Sequence, residues 1–263
     1  MAYVYKLIIS VVTGLIEGIT EFLPISSTGH IIIISHWLGI LNKNTDILKT
    51  FVQLGSSIAI LIFFFKKIIN LIKFKKRKKR TKNIHILISL IPTASLGFIF
   101  YNDIKLLFNI KNIMYALIFG GFFLIISEIF KPKKNKTNSI DEISLFQSFI
   151  IGCFETLCLY PGFSRSGATI GSAMLLGIKR SVAINFSFII SIPLTIGASI
   201  LELIKNINNM NINCIPYYLS AFFISLIISL LSINKFIKIL NKFSLKIFGF
   251  YRFILAILIY FIN

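Results

Sequence analysis

Residues 14–30 read GLIEGITEFLPISSTGH, a stretch that sets two carboxylates, a run of hydroxyls and a histidine inside a chain otherwise as apolar as lipid. Glu17 and Glu21 stand four residues apart, so on a helix both carboxylates share one face. Pro24 stops that helix, and Ser26, Ser27, Thr28, Gly29 and His30 form a polar turn before the apolar run at 31–34. Acidic groups within apolar membrane segments cost roughly 2.5 to 3.5 kcal/mol each on insertion scales and are read as functional by default. The rest of the chain reads as the housing of this stretch.

The composition defines that housing. The chain has 263 residues, is 56% hydrophobic and has a mean hydropathy of +0.86. Several apolar runs reach about 18 residues, long enough to span a bilayer. This is an integral membrane protein. The N-terminal apolar stretch carries Glu17 and Glu21 and lacks a small-residue cleavage site, so it is read as part of the mature fold and not as a signal peptide. A net charge of +19 would point to nucleic acid in a soluble protein. Here the basic residues sit in short connections, a distribution that fits topology signals and anionic headgroups, so no nucleic-acid partner is expected. Cys153, Cys158 and Cys214 lack metal-ligand spacing and read as buried apolar thiols.

Six stretches read as simple transmembrane helices: 47–65, 84–101, 113–130, 182–204, 214–233 and 247–262. Residues 66–82 hold ten basic side chains and no acid. Three further connections are also basic, through Lys131, Lys133, Lys134 and Lys136, through Lys179 and Arg180, and through Lys235, Lys238, Lys242 and Lys246. By the positive-inside rule these four connections are cytoplasmic, and the sparsely charged ones near 42–46, 102–112 and 205–213 lie outside. Two broken stretches remain, 7–41 and 143–178. The second starts and ends at cytoplasmic basic connections, so it must enter and leave on one side. The first must end outside, and if re-entrant it starts there too, which puts both termini outside and favours outward access. Broken backbone at membrane depth is tolerated only where it is buried in protein or lines a wet cavity. The fold expected is an all-α polytopic membrane protein, a single domain of six transmembrane helices and two oppositely oriented re-entrant helical hairpins.

The hairpins resemble each other. An offset of 138 residues lays Gly14 on Gly152, Glu17 on Glu155, Ser26 on Ser164, Thr28 on Ser166 and Gly29 on Gly167, and Leu38, Gly39 and Ile40 on Leu176, Gly177 and Ile178. The halves, roughly 1–130 and 131–263, therefore read as an inverted repeat, an arrangement associated with a site near the midplane. At the same offset Ser27 faces Arg165 and His30 faces Ala168. The repeat has diverged where the chemistry is expected.

Arg165 lies in the second turn, PGFSRSGAT at 161–169, and its planar five-donor fork suits a phosphate also held by hydroxyls and free backbone N–H groups. The alternative is that Arg165 only pairs with Glu17, Glu21 or Glu155. The polar residues supply a phosphoryl-transfer site. Glu17 and Glu21 can hold a divalent cation or act as general base, Ser27 or His30 can attack phosphorus, and Arg165 with Ser164, Ser166 and Thr169 can hold the oxygens. Ser26 and Thr28 add hydroxyls for substrate binding. No Walker loop is present, so ATP-driven work is not expected.

Glu17, Glu21, Pro24 and residues 26–30, with Pro161, Gly162, residues 164–167 and Thr169, resemble the two signature segments of the bacterial undecaprenyl-diphosphate phosphatase family, the one linked to bacitracin resistance. The resemblance extends over essentially the whole chain, including Gln53, Leu54, Gly55 and residues 186–197. It implies removal of one phosphate from a polyprenyl diphosphate carrier for cell-wall glycan assembly, in the bacterial inner membrane, with Mg²⁺ or Ca²⁺. A homodimer is compatible with it. It assigns Glu17 and Glu21 to the acidic pair, Ser27 and His30 to nucleophile or acid/base roles, and Arg165 to the phosphate clamp. The chain departs from the family's pattern at Glu155, where glutamine is usual, at Asn185, where glutamate is common, and before Gln53, where the segment is shortened and lacks an acidic residue. A second reading, from the repeat, is a transporter or flippase for a phosphorylated lipid, with His30 beside the carboxylates as a proton relay. His36 and His85 read as structural, Trp37 as an interfacial anchor, and Glu128 and Glu202 as facing headgroups.

Overall fold

The computed structural model describes residues 2–37, 44–72, 83–207, 210 and 212–262, and among them the secondary structure is helical apart from a single bridge between Thr137 and Ile178. The helices are α1 (Ala2–Thr20), α2 (Ser27–Trp37), α3 (Asn44–Ile72), α4 (Asn83–Ile99), α5 (Tyr101–Leu106) and α6 (Ile110–Phe130). They continue with α7 (Leu145–Glu155), α8 (Arg165–Leu175), α9 (Arg180–Asn206), α10 (Ile215–Lys242) and α11 (Leu245–Ile262). Four segments, Ile47–Ile69, Ile110–Phe130, Arg180–Asn206 and Ile212–Lys242, are long and apolar enough to cross a membrane. Phe130, Leu231 and Phe261 project from the outer surface, each more than two-thirds exposed, as side chains that face lipid do. The basic run at 73–80 and the repeat positions Leu38, Gly39 and Ile40 lie outside the described residues.

Each of the two broken stretches folds as helix, turn, helix. α1 ends at Thr20, earlier than Pro24 alone would place the stop. The proline ring disfavours helical backbone at Leu23 and crowds the Thr20 carbonyl, so the last turn unwinds ahead of it. Glu21 N still donates to Glu17 O at 3.0 Å, which keeps the two glutamates one turn apart. Phe22 then plunges into the core, edge-on to Phe188 at 5.8 Å and stacked on Phe236 at 6.2 Å, and pins the turn. The second turn lies between a short 3₁₀ segment, Thr156–Leu159, and α8. Ser26 and Ser164 have φ of 70° and 72°, the only positive values at non-glycine positions among the described residues. Each side chain caps the helix that follows, Ser26 Oγ accepting from Gly29 N at 3.1 Å and Ser164 Oγ from Gly167 N at 3.3 Å.

The hairpins pack crosswise between the halves. α1 lies on α10 and α7 on α4, while α3 faces α9 and α6 faces α11. Small residues allow these approaches: a Cβ at Gly14 would stand 2.8 Å from Ala221 O, and one at Gly152 would stand 2.1 Å from Ser89 O. Between α3 and α9, Ser57 Oγ donates to Thr195 Oγ1 at 2.8 Å, across the same offset of 138 residues. At one end of the bundle the connections around 131–137, 177–180 and 243–245 come together among the described residues. Lys136 N donates to Gly177 O at 2.8 Å and Lys179 N to Thr137 O at 2.9 Å. Arg180 grips both oxygens of Glu128, which also accepts from Lys131 and from Leu245 N, so Glu128 is an internal clamp rather than a headgroup contact. Trp37 is 65% exposed, as an interfacial anchor is. The cysteines are free, but only Cys214 is buried; Cys158 stands on a cavity wall and Cys153 is partly covered.

Gly152→Ala is expected to destabilise the fold by about 1–3 kcal/mol because its methyl group meets backbone that cannot yield. Gly197→Ala, whose Cβ would meet nothing within 4 Å, is expected to match wild type in thermal unfolding in detergent.

Candidate active site

The turns of both hairpins converge on one cavity of about 550 Å³. Glu17, Glu21, Ser26, Ser27 and Thr28 line it from the first hairpin, and Ser164, Arg165 and Ser166 from the second. The centre is Glu21. Its Oε2 accepts from Ser27 Oγ at 2.7 Å, and its Oε1 accepts from Arg165 Nη2 at 2.8 Å. The ion pair is about one-tenth exposed on either side. Arg165 Nη1 reaches Ser191 O at 3.3 Å, which orients the guanidinium along α9. Ser166 Oγ crosses to Leu23 O at 3.2 Å and ties the second turn to the first. Glu17, 1% exposed, accepts a long bond of 3.4 Å from Ser56 Oγ.

Two of the residues singled out from sequence do not line the cavity. Thr169 bonds back to Arg165 O at 3.0 Å and meets Ser187 Oγ, so it steadies the first turn of α8. His30 turns toward α11. Its Nδ1 faces Ser26 O at 2.8 Å, and a carbonyl can only accept, so Nδ1 carries the proton. Nε2 then accepts from the Tyr251 hydroxyl at 2.8 Å, with the rings stacked at 5.7 Å. Glu155, aligned with Glu17, is wholly buried, and neither carboxylate oxygen has a hydrogen-bond partner among the described residues.

The far end of the cavity is lined by Lys49, Tyr101, Lys105, Phe108 and Glu202. Glu202 accepts from Tyr101 and Asn206 and pairs with Lys105 at 2.9 Å, so it is held within the protein at the cavity mouth. Leu90, Ala94, Phe98, Leu194 and Leu201 form apolar walls between this mouth and Arg165. Spacing in the sequence carries no trace of this rim, because its residues come from α3, α5, the connection after α5, and α9. The signal for Arg252, described below, was present: it is a second arginine inside an apolar run.

Among the described residues no three His, Cys, Asp or Glu side chains form a metal cage. Glu17 and Glu21 nevertheless share one cavity wall, and two carboxylates suit a hard cation that takes its remaining ligands from a phosphate and water.

A helical membrane protein with an arginine, a carboxylate-bound serine and an apolar-walled cavity between two helix breaks belongs to the class that accommodates an amphiphile with an anionic head. More closely, the chain belongs to the family of bacitracin resistance protein BacA, which it matches over residues 10–258. It is similar to the undecaprenyl-diphosphatase of Buchnera aphidicola subsp. Schizaphis graminum (strain Sg), 64% identical over 264 residues that cover all of both chains. The undecaprenyl-diphosphatase of Buchnera aphidicola subsp. Acyrthosiphon pisum (strain APS) is 60% identical over 265 residues, again covering both chains. The resemblance read from the two motifs is borne out.

Removing one partner of the Arg165–Glu21 pair leaves the other charge buried alone. Arg165→Leu is expected to destabilise the protein by about 3–5 kcal/mol in thermal unfolding, and adding Glu21→Leu to restore most of that loss.

Proposed function

We propose that this protein is an undecaprenyl-diphosphate phosphatase of the bacterial plasma membrane, releasing one phosphate from the lipid carrier and returning the monophosphate to cell-wall glycan synthesis. The observation that carries the mechanism is the bridge Ser27–Glu21–Arg165 at the inner end of an apolar-walled cavity. The prenyl chain lies along the walls and the diphosphate reaches the polar centre. Arg165 exchanges Glu21 for the phosphate oxygens, with Ser164, Ser166 and the first N–H groups of α8 beside it. Ser27 Oγ attacks the terminal phosphorus while its proton passes to Glu21. The bond from that phosphorus to the bridging oxygen breaks, and the lipid monophosphate leaves with the electron pair. Glu21 passes that proton to the departing monophosphate, then takes one from the water that attacks the phosphoserine and returns it to Ser27 Oγ as the Oγ–P bond breaks and inorganic phosphate leaves. Glu17 and Glu21 would hold Mg²⁺ or Ca²⁺, which when bound neutralises diphosphate oxygens. His30 holds the first turn in place, since both its nitrogens are engaged away from the cavity.

The arrangement we propose in the membrane is six spans and two opposed re-entrant hairpins, with both termini outside. Supporting it are the matched turns at Ser26 and Ser164, the crosswise packing of α1 and α7, and the meeting of the connections around 131–137, 177–180 and 243–245 at one end. Of the rim, Lys105 and Phe108 lie in the sparsely charged connection 102–112, and Lys49, Tyr101 and Glu202 stand within about three residues of the sparsely charged connections, which supports a cavity that opens outward.

Phosphate release from a polyprenyl diphosphate by the purified protein with Mg²⁺ tests the activity. Glu21→Gln is expected to lower kcat by roughly 10²–10⁴-fold and Arg165→Lys to lower it by roughly 10²–10³-fold. Wild-type activity in both would sink the assignment of the site, and movement of lipid across vesicles without phosphate release would favour a flippase. For topology, a cysteine at Phe108 in an otherwise cysteine-free chain is expected to react with impermeant maleimide from outside, and one at Lys134 only from the cytoplasmic side.

A further inference from the structure

Arg252 has the bulkiest of the fully buried side chains among the described residues, at 0% exposure inside apolar α11. Nothing in the reaction above uses it, and it forms no ion pair among the described residues. Its Nη2 donates to Gly162 O at 2.7 Å and to Ala116 O at 3.1 Å, while Nε and Nη1 have no hydrogen-bond partner among the described residues. The guanidinium lies across Gly120, where a Cβ would come within 2.3 Å of Nη2, and 5.7 Å from the centre of the Phe163 ring. Gly162 has φ of 100° and Ser164 of 72°, so two of the three residues just before Arg165 hold positive-φ backbone. Burying an arginine is costly, and here Nη2 holds the carbonyl of Gly162, in the backbone that leads to Arg165.

The residue before it does the same for the other turn. Tyr251 donates its hydroxyl proton to His30 Nε2, and His30 Nδ1 donates to Ser26 O, the carbonyl directly before Ser27 and part of a residue with φ of 70°. Consecutive side chains of one helix thus reach the backbone of both turns, one directly and one through a histidine.

We propose that Tyr251 and Arg252 are positioning residues, a brace on α11 that sets Ser27 and Arg165 relative to each other across the bound diphosphate. This rests on the reading of the site given above. Because the limbs end on different turns, they separate kinetically. Loss of the Tyr251 hydroxyl frees the turn that carries Ser27, so Tyr251→Phe lowers kcat by about 10- to 100-fold and leaves KM within about twofold of wild type. Loss of the Arg252 fork frees the turn that carries the clamp, so Arg252→Lys raises KM about tenfold. Gly120→Ala, which pushes the guanidinium off its carbonyls while keeping it, raises KM in the same way.

The experiment measures kcat and KM for a short-chain prenyl diphosphate in detergent, with Mg²⁺ and with each variant corrected for its folded fraction by thermal unfolding and gel filtration. A residue that merely supported the fold would lower the folded fraction and leave both corrected constants at wild-type values, and that result in these variants overturns the brace. Should Arg252→Lys and Gly120→Ala fail to fold, Tyr251→Phe still decides, since it removes one oxygen from an exposed ring: wild-type kcat refutes the proposal. Glu21→Gln and Arg165→Lys run beside them. If both keep wild-type rates, the site reading fails and the brace with it; if both lose activity while the α11 variants match wild type, the brace alone fails.

Discussion

Glu21 gives one carboxylate oxygen to Ser27 and the other to Arg165, and the two polar turns can coexist in an apolar bundle because these groups meet. A charge taken from water loses several kcal/mol of solvation that only a close, well-oriented partner restores. The partners here lie 144 residues apart in the chain. The helices must therefore bring the turns within hydrogen-bond reach or expose neither. Phe22, beside Glu21 and wholly buried among Phe188 and Phe236, shows how apolar packing and ion pairing share the task.

The crosswise packing follows from that demand. α1 and α7 are each broken at the point where the turn begins, and each rests on a helix from the other half through a glycine that lets the backbones touch. α3 and α9 stand between the hairpins and join through Ser57 and Thr195, which lie 138 residues apart in the chain. The cavity runs beside this seam from Arg165 to Lys105 and Glu202. Its polar inner end and apolar walls suit the head and the tail of a lipid diphosphate.

Much of the candidate site was legible because charged residues stand out inside apolar runs. Glu17, Glu21 and Arg165 were conspicuous for this reason, and all three line the cavity. The same argument applied to the run 247–262 would have singled out Arg252. The rim of Lys49, Tyr101, Lys105 and Glu202 was not legible, since ordinary polar residues at helix ends look alike until the helices are placed side by side. Glu128 and Glu202, read as headgroup contacts, turn out to be bound within the protein. The early end of α1 at Thr20 reflects the reach of Pro24 back along its own helix, a local effect that the position of the proline understated.

The sequence by itself determined that this chain is an apolar helical protein broken at two related places, that carboxylates and hydroxyls stand at one break and an arginine at the other, and which family carries that pattern. These properties are local: they depend on hydropathy over a helix length, on proline and glycine, and on the cost of charge in an apolar run. Only the tertiary structure decided that Arg165 pairs with Glu21 and not with Glu17 or Glu155, that Ser27 faces the cavity while His30 faces Tyr251, and that α11 reaches both turns. Those outcomes depend on a few ångströms between helices far apart in the chain, where hydrogen bonds form or fail over distances that no spacing along one helix encodes.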